Sequence, residues 1–123
     1  MSRQAEVTTT LAAAATALAL AAPVHADSQQ DQSYIQAMNR MGFTADAHDM
    51  FLAQTICGEM EKVDPKKESV TAKGANWEFA NALGHMTKNQ IYGVLKAGIT
   101  SYCPSLLGQF HKEVDNDPWI QLP

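Results

Sequence analysis

The residues able to do chemistry in this chain are few. They are two cysteines, Cys57 and Cys103, and three histidines beyond the N-terminal segment, His48, His85 and His111. Neither cysteine belongs to a Cys-x-x-Cys redox pair, since Cys57 is followed by Gly58 and Cys103 by Pro104. In an oxidising compartment two such thiols join and stay joined. With only two in the chain the pairing has one intramolecular solution. A structural Cys57–Cys103 disulfide is therefore expected, with a free nucleophilic thiol or a metal-ligand pair as the alternatives. Closing so long a loop restrains the unfolded chain by about 4 kcal/mol at most.

The histidines do not share the i, i+4 spacing of a helix-borne zinc site, and each falls in a different segment. Exposed or capping histidines are the plainer reading. The functional one is a haem or metal site, completed by an oxygen ligand from Tyr34, Tyr92 or Tyr102. Five methionines, Met38, Met41, Met50, Met60 and Met86, offer soft thioethers, and His48-x-Met50 and His85-Met86 would suit copper. Methionine is also the adaptable filler of small cores, and that use is the commoner one. No metal site or cofactor is assigned.

Other chemistries lack their residues. There is no Gly-x-Ser-x-Gly elbow and no glycine-rich phosphate loop. Asp115-Asn-Asp117 is a fragment of a calcium loop without its twelfth-position glutamate. No acid/base pair stands out, so no catalytic residue is named. The net charge of −4 and the single basic doublet, Lys66-Lys67, argue against nucleic acid and anionic lipid surfaces. Trp77 and Phe79, two apart, cannot share one helix face; one belongs to the core and the other is partly exposed. An exposed Trp77 or Trp119 would anchor an interface.

These residues must be positioned by what surrounds them. The chain opens with Arg3, then an apolar run from Leu11 to Ala22, then Pro23 and Val24-His25-Ala26. Twelve residues of helix span about 18 Å, too short for a bilayer core of about 30 Å. Small residues at Val24 and Ala26 suit a signal peptidase. Residues 1–26 are read as a cleaved signal peptide, and Asp27 in place of a cysteine gives no lipid anchor. Arg3 and Glu6 cancel, so the mature charge is unchanged. A buried N-terminal helix and a retained anchor are the alternatives.

The rest reads as one small all-α domain over 27–112, a bundle of about four helices stapled by one disulfide. The stretch from Asp27 to Gln32 is polar and expected to fray. A first helix covers Gln32 to Met41, with Tyr34, Ile35, Met38 and Met41 at helical spacing and Gly42 as the stop. A second runs from Ala45 to Lys62, capped by Thr44, with Leu52, Ala53, Ile56 and Met60 on one face and Cys57 at its edge. Pro65 interrupts. A third covers Ser69 to Leu83, with Ala75, Phe79 and Leu83 inward; Gly74 weakens its first half and sets an alternative start near Asn76. Thr87 and Gln90 form a capping box that opens the fourth, Lys88 to Tyr102. Its stripe is Ile91, Val94, Leu95, Gly98, Ile99 and Tyr102, where Gly98 signals close approach of another helix. Ser105 to Lys112 adds a turn or two, and 113–123 is an irregular tail whose Trp119, Ile120 and Leu122 could dock back. No strand alternation is present.

Several marks converge: Tyr34-Ile35-x-x-Met38-x-x-x-Gly42, Ala53-x-x-Ile56-Cys57, Met86-Thr87-x-x-Gln90 and Ala97-x-Ile99-x-x-Tyr102-Cys103-Pro104. Together they resemble the small secreted actinobacterial domain-of-unknown-function family seven-thirty-two, common in mycobacteria, whose second cysteine ends a Tyr-Cys-Pro. The resemblance covers Tyr34 to Leu107. Glu61 to Asn76 is longer and more charged than the family's usual link, and the tail after Leu107 is an addition. Membership implies an exported helical domain with a Cys57–Cys103 bridge and carries no activity and no catalytic residues.

The expected function is a secreted, non-enzymatic helical domain that binds a protein or apolar partner at or outside the cell envelope. The alternative is a haem- or metal-binding extracellular carrier, and a small envelope enzyme comes last.

Overall fold

The computed structural model describes residues 27–82, 84–118, 120 and 122. The segment read as a signal peptide and Trp119 lie outside the described residues. Five helices follow in order: α1 (Ser28–Arg40), α2 (Ala47–Glu61), α3 (Val70–Ala82), α4 (Lys88–Tyr102) and α5 (Leu107–Val114), the last entered through a single 3-10 turn at Pro104–Leu106. No strand occurs among the described residues. The expected all-α bundle is what forms.

Local chemistry explains most helix starts. Asp27 and Gln30 exchange two hydrogen bonds, at 2.8 and 3.0 Å, in a capping box that starts α1. The expected fray to Gln32 is thus wrong: Asp-x-x-Gln satisfies two orphan amides at once. For α2 the cap is Asp46 with Asp49 rather than Thr44, since a carboxylate pair at this spacing serves the same amides. Thr87 and Gln90 open α4 as expected.

α3 is different. Ser69 Oγ accepts from Ala72 N at 3.0 Å. The third helical position is Ala72, which has no side chain to complete a box. Glu113, on α5, fills that role. Its carboxylate accepts from Ser69 Oγ at 2.9 Å, Val70 N at 3.2 Å, Thr71 N at 2.7 Å and Gln109 Nε2 at 2.8 Å. The Thr71 hydroxyl, buried beside this cap, has no hydrogen-bond partner among the described residues. Burial pushes the Glu113 carboxyl up, but the donors at Thr71, Gln109 and Ser69 outweigh it and hold it at about 2.

The main core joins Ile56, Cys57, Met60, Val70, Ile91, Leu95, Ile99, Cys103 and Phe110, with Ile120 folded back onto it. A second cluster, Tyr34, Met38, Ala53, Val94 and Ala97, seats α1. Tyr102 Oη donates to Asp31 Oδ1 at 2.6 Å and the hydroxyls of Ser101 and Ser33 meet at 3.0 Å, tying α1 to α4. Cys57 and Cys103 are bonded, their Cα atoms 5.9 Å apart, so the end of α4 is fixed to the C-terminal half of α2.

Two of the close-approach glycines set how α2, α3 and α4 pack. A Cβ on Gly98 would lie 3.4 Å from Ala53 Cβ, the contact expected of that position. One on Gly74 would lie 2.5 Å from Met60 Sδ and 2.7 Å from Leu95 Cδ1. Gly74 therefore does not delay α3, which starts at Val70; it lets α3 settle on α2 and α4. The inward face of α3 is in part the expected one: Ala75 is buried, Leu83 lies outside the described residues, and Phe79 is the exception. Val70, Thr71, Gly74, Ala75 and Glu78 are buried, whereas Phe79 is 49% exposed. The Gly74 contact fixes the rotation of α3, and that rotation turns Phe79 out and Glu78 in. At the other end α5 runs to Val114, two residues past Lys112, because Phe110 and Val114 form its buried edge.

Candidate functional site

Two concave regions lie against the α1–α4 pair. The larger is an open groove of about 540 Å³. From α1 it takes Ser33, Ala37 and Arg40, with Met41 just beyond; from α4 it takes Gly93, Lys96, Ala97, Thr100 and Ser101; Leu122 of the tail closes one side. The i, i+4 spacing of Ser33 and Ala37, and of Gly93, Ala97 and Ser101, puts small side chains on facing stripes, and their size leaves the groove open. Met41 lies over Gly93, where a Cβ would come within 2.9 Å of its sulfur. The wall is mostly apolar, with two cations, Arg40 and Lys96. Neither takes part in the ion pairs among the described residues, which are Lys62–Glu59 and Lys88–Asp117. Leu122 was expected to dock back and does so here.

The smaller region is a cavity of about 70 Å³ among α1, α2, α3 and α4. Tyr34, Asp49, Glu78 and Asn81 supply its polar wall; Met38, Leu52, Ala82, Met86 and Val94 supply the apolar one. Burial, then the charge of Asp49, pushes the Glu78 carboxyl up to about 7. Burial likewise pushes the Tyr34 phenol far above its usual range, with Glu78 and Asp49 adding to it.

The residues singled out by sequence are dispersed. His48 and His85 are exposed on separate elements, and His111 is half-buried on α5, its ring edge-on to Phe110 at 5.7 Å. No group of three or more His, Cys, Asp or Glu able to hold a metal forms among the described residues. Of the methionines, Met60 is core, Met41 is in the groove, and Met38 and Met86 meet at the cavity with carboxylates rather than histidines. Tyr92 packs half-buried on the main core. Trp77 does the same, so the exposed member of the Trp77/Phe79 pair is Phe79. Phe51, 65% exposed, is a second surface aromatic that the sequence reading did not name.

Arg40, Lys96 and Glu78 were also missed. The signals existed: small-residue stripes at i, i+4 flank both cations, and Glu78 sits one turn after Gly74 on the close-packed stripe. No described helix is long and apolar enough to cross a membrane.

Comparison with known proteins agrees with the sequence marks. No curated protein and no solved structure matches the chain. The family model described as "Protein of unknown function (DUF732)" matches residues 30–105, which takes in most of α1, all of α2 to α4, both cysteines and the lining of both concave regions apart from Leu122. The chain belongs to that family.

Proposed function

We propose that this is an exported, non-enzymatic helical domain that binds an anionic, largely apolar ligand in the groove between α1 and α4. The observation that carries the reading is the groove itself: about 540 Å³, an apolar wall, and Arg40 and Lys96 in a chain of net charge −4. That volume is in the range of small-ligand sites, which combine apolar walls with a few placed polar groups. In a net acidic protein, two cations at one groove favour an acidic headgroup over a neutral one. Export is supported by the Cys57–Cys103 bridge and by Asp27, the first residue after the expected cut, serving as the cap of α1. The dispersal of His48, His85 and His111 gives the alternative, a haem- or metal-binding carrier, no group of three such ligands among the described residues.

The test is thermal unfolding of the purified protein with laurate and, at matched concentration, dodecanol. At a hundredfold excess over the dissociation constant laurate should stabilise by about 2.7 kcal/mol. Dodecanol should do less, and Arg40→Gln with Lys96→Gln should remove the difference. Equal shifts with the two ligands, or no saturable shift with laurate, would refute the reading.

A further inference from the structure

The small cavity carries an inference independent of the groove. We propose that it is a binding site for a primary alkylammonium group, either a free amine or the lysine side chain of a partner.

Glu78 is only 7% exposed and lines this cavity, yet no hydrogen bond among the described residues reaches its carboxylate. Thr71 Oγ1 is the one side-chain polar atom among the described residues that is sealed off without a partner, so the Glu78 carboxylate is reached from the cavity and takes its donors there. The neighbouring polar groups do not supply a charged donor. Asp49 faces Glu78 from α2 and is a second carboxylate; one of its oxygens already accepts from Asp46 N at 3.0 Å. On α3, the Asn81 amide nitrogen donates to Trp77 O at 2.8 Å, which leaves its carbonyl oxygen as an acceptor. From α1 comes only the Tyr34 phenol, and α4 contributes Val94, which has no charge. The wall is thus rich in acceptors. An ammonium brings three donors and a positive charge.

The rest of the wall selects among cations. Calcium seeks six to eight oxygens and magnesium a full octahedron. Here thioether and alkyl groups, Met38, Met86, Leu52 and Val94, occupy the remaining surface. Apolar surface beside a carboxylate pair suits a charged head on a methylene stem, as lysine side chains lie on proteins. A cavity of about 70 Å³ has room for such a head and not for a large ring system. Phe51 and Phe79, each next in sequence to a lining residue, remain exposed on the same helix pair and offer apolar surface for the stem or the surface that carries it. The raised Glu78 carboxyl gives the site a proton linkage: ammonium binding favours the ionised form, so a proton leaves to solvent as the amine enters.

The experiment is a titration of the purified protein with butylammonium, read by the carbon-13 shift of the Glu78 carboxyl and by proton release in weak buffer. Expected is saturable binding with proton uptake by the buffer. Affinity should rise about tenfold per pH unit up to pH 7 and level off above it. Glu78→Gln, an isosteric change that keeps the fold, should abolish binding. N-acetyl-lysine amide binding as well as butylammonium identifies a protein lysine as an accepted source; butylammonium alone identifies a free amine. The proposal is overturned if butanol binds equally, if Glu78→Gln binds as well as the parent, if calcium or magnesium displaces butylammonium at equal concentration, or if the Glu78 carboxyl does not respond.

Discussion

Removing the carboxylate that caps α3 from α5 should produce a loss whose size and pH dependence are both set by the structure. In Glu113→Ala, Ser69 Oγ, Val70 N, Thr71 N and Gln109 Nε2 lose their acceptor together. A hydrogen bond to a charged group contributes about 1.5–3 kcal/mol, but these donors lie near the surface and water replaces part of what is lost. The expected loss is about 2 kcal/mol, at the top of the range for helix caps. In a domain this small that lowers the melting temperature by about 8–16 °C. Thermal unfolding followed by far-ultraviolet circular dichroism measures it. The pH dependence follows from the carboxyl being held at about 2 in the fold against 4.5 for a free glutamate. A depressed carboxyl stabilises the fold fully above 4.5, and the contribution fades as pH falls towards 2. The gap between parent and variant should therefore be flat from neutral pH down to about 5 and close steadily below that. Glu113→Gln, which keeps one acceptor but no charge, should lie between them at neutral pH, and its lead over Glu113→Ala should not change with pH. A gap below about 0.5 kcal/mol at neutral pH, or one that persists unchanged at pH 2, would refute the reasoning.

Other substitutions test other parts of the fold. Gly74→Ala should destabilise by about 1–2 kcal/mol in denaturant unfolding although alanine favours helix, because its Cβ would meet Met60 Sδ and Leu95 Cδ1, both fully buried; a stabilised variant would show that α3 can rotate freely. Replacing Cys57 and Cys103 together by alanine should lower stability by up to about 4 kcal/mol, read as a drop in the urea midpoint, with helix content retained at low temperature. Glu78→Gln should act in the opposite sense to Glu113→Ala. Its carboxyl is raised to about 7 from 4.5, so the parent is most stable below 4.5, loses stability as pH rises to about 7 and is flat above. The variant should lack that decline and be more stable by about 2–3 kcal/mol at pH 8, an ordering that equal melting curves would exclude.

Much of this fold is legible residue by residue because its causes are local. Thr87 and Gln90 are three apart, so their box can be read off the chain, and the apolar stripe of α4 follows from helical spacing alone. With only two cysteines, the pairing has one intramolecular solution. Family membership could be read from motifs for a similar reason, since their order along the chain carries it. The starts of α1 and α2 have local causes too: Asp27 with Gln30 and Asp46 with Asp49 sit at capping-box spacing.

What tertiary structure alone decided lies on α3 and in the spaces between helices. Ala72 gives no hint that a glutamate on another helix completes the cap. The rotation of α3 depends on how near Gly74 approaches Met60 and Leu95, a distance between helices that no periodicity encodes, and that rotation buries Glu78 and exposes Phe79. The groove and the cavity are likewise properties of facing surfaces: Arg40 and Lys96, or Asp49 and Glu78, become one site only when separate helices are packed together. Sequence spacing fixes which residues share a helix face, whereas which faces meet is set by the packing of side chains far apart in the chain.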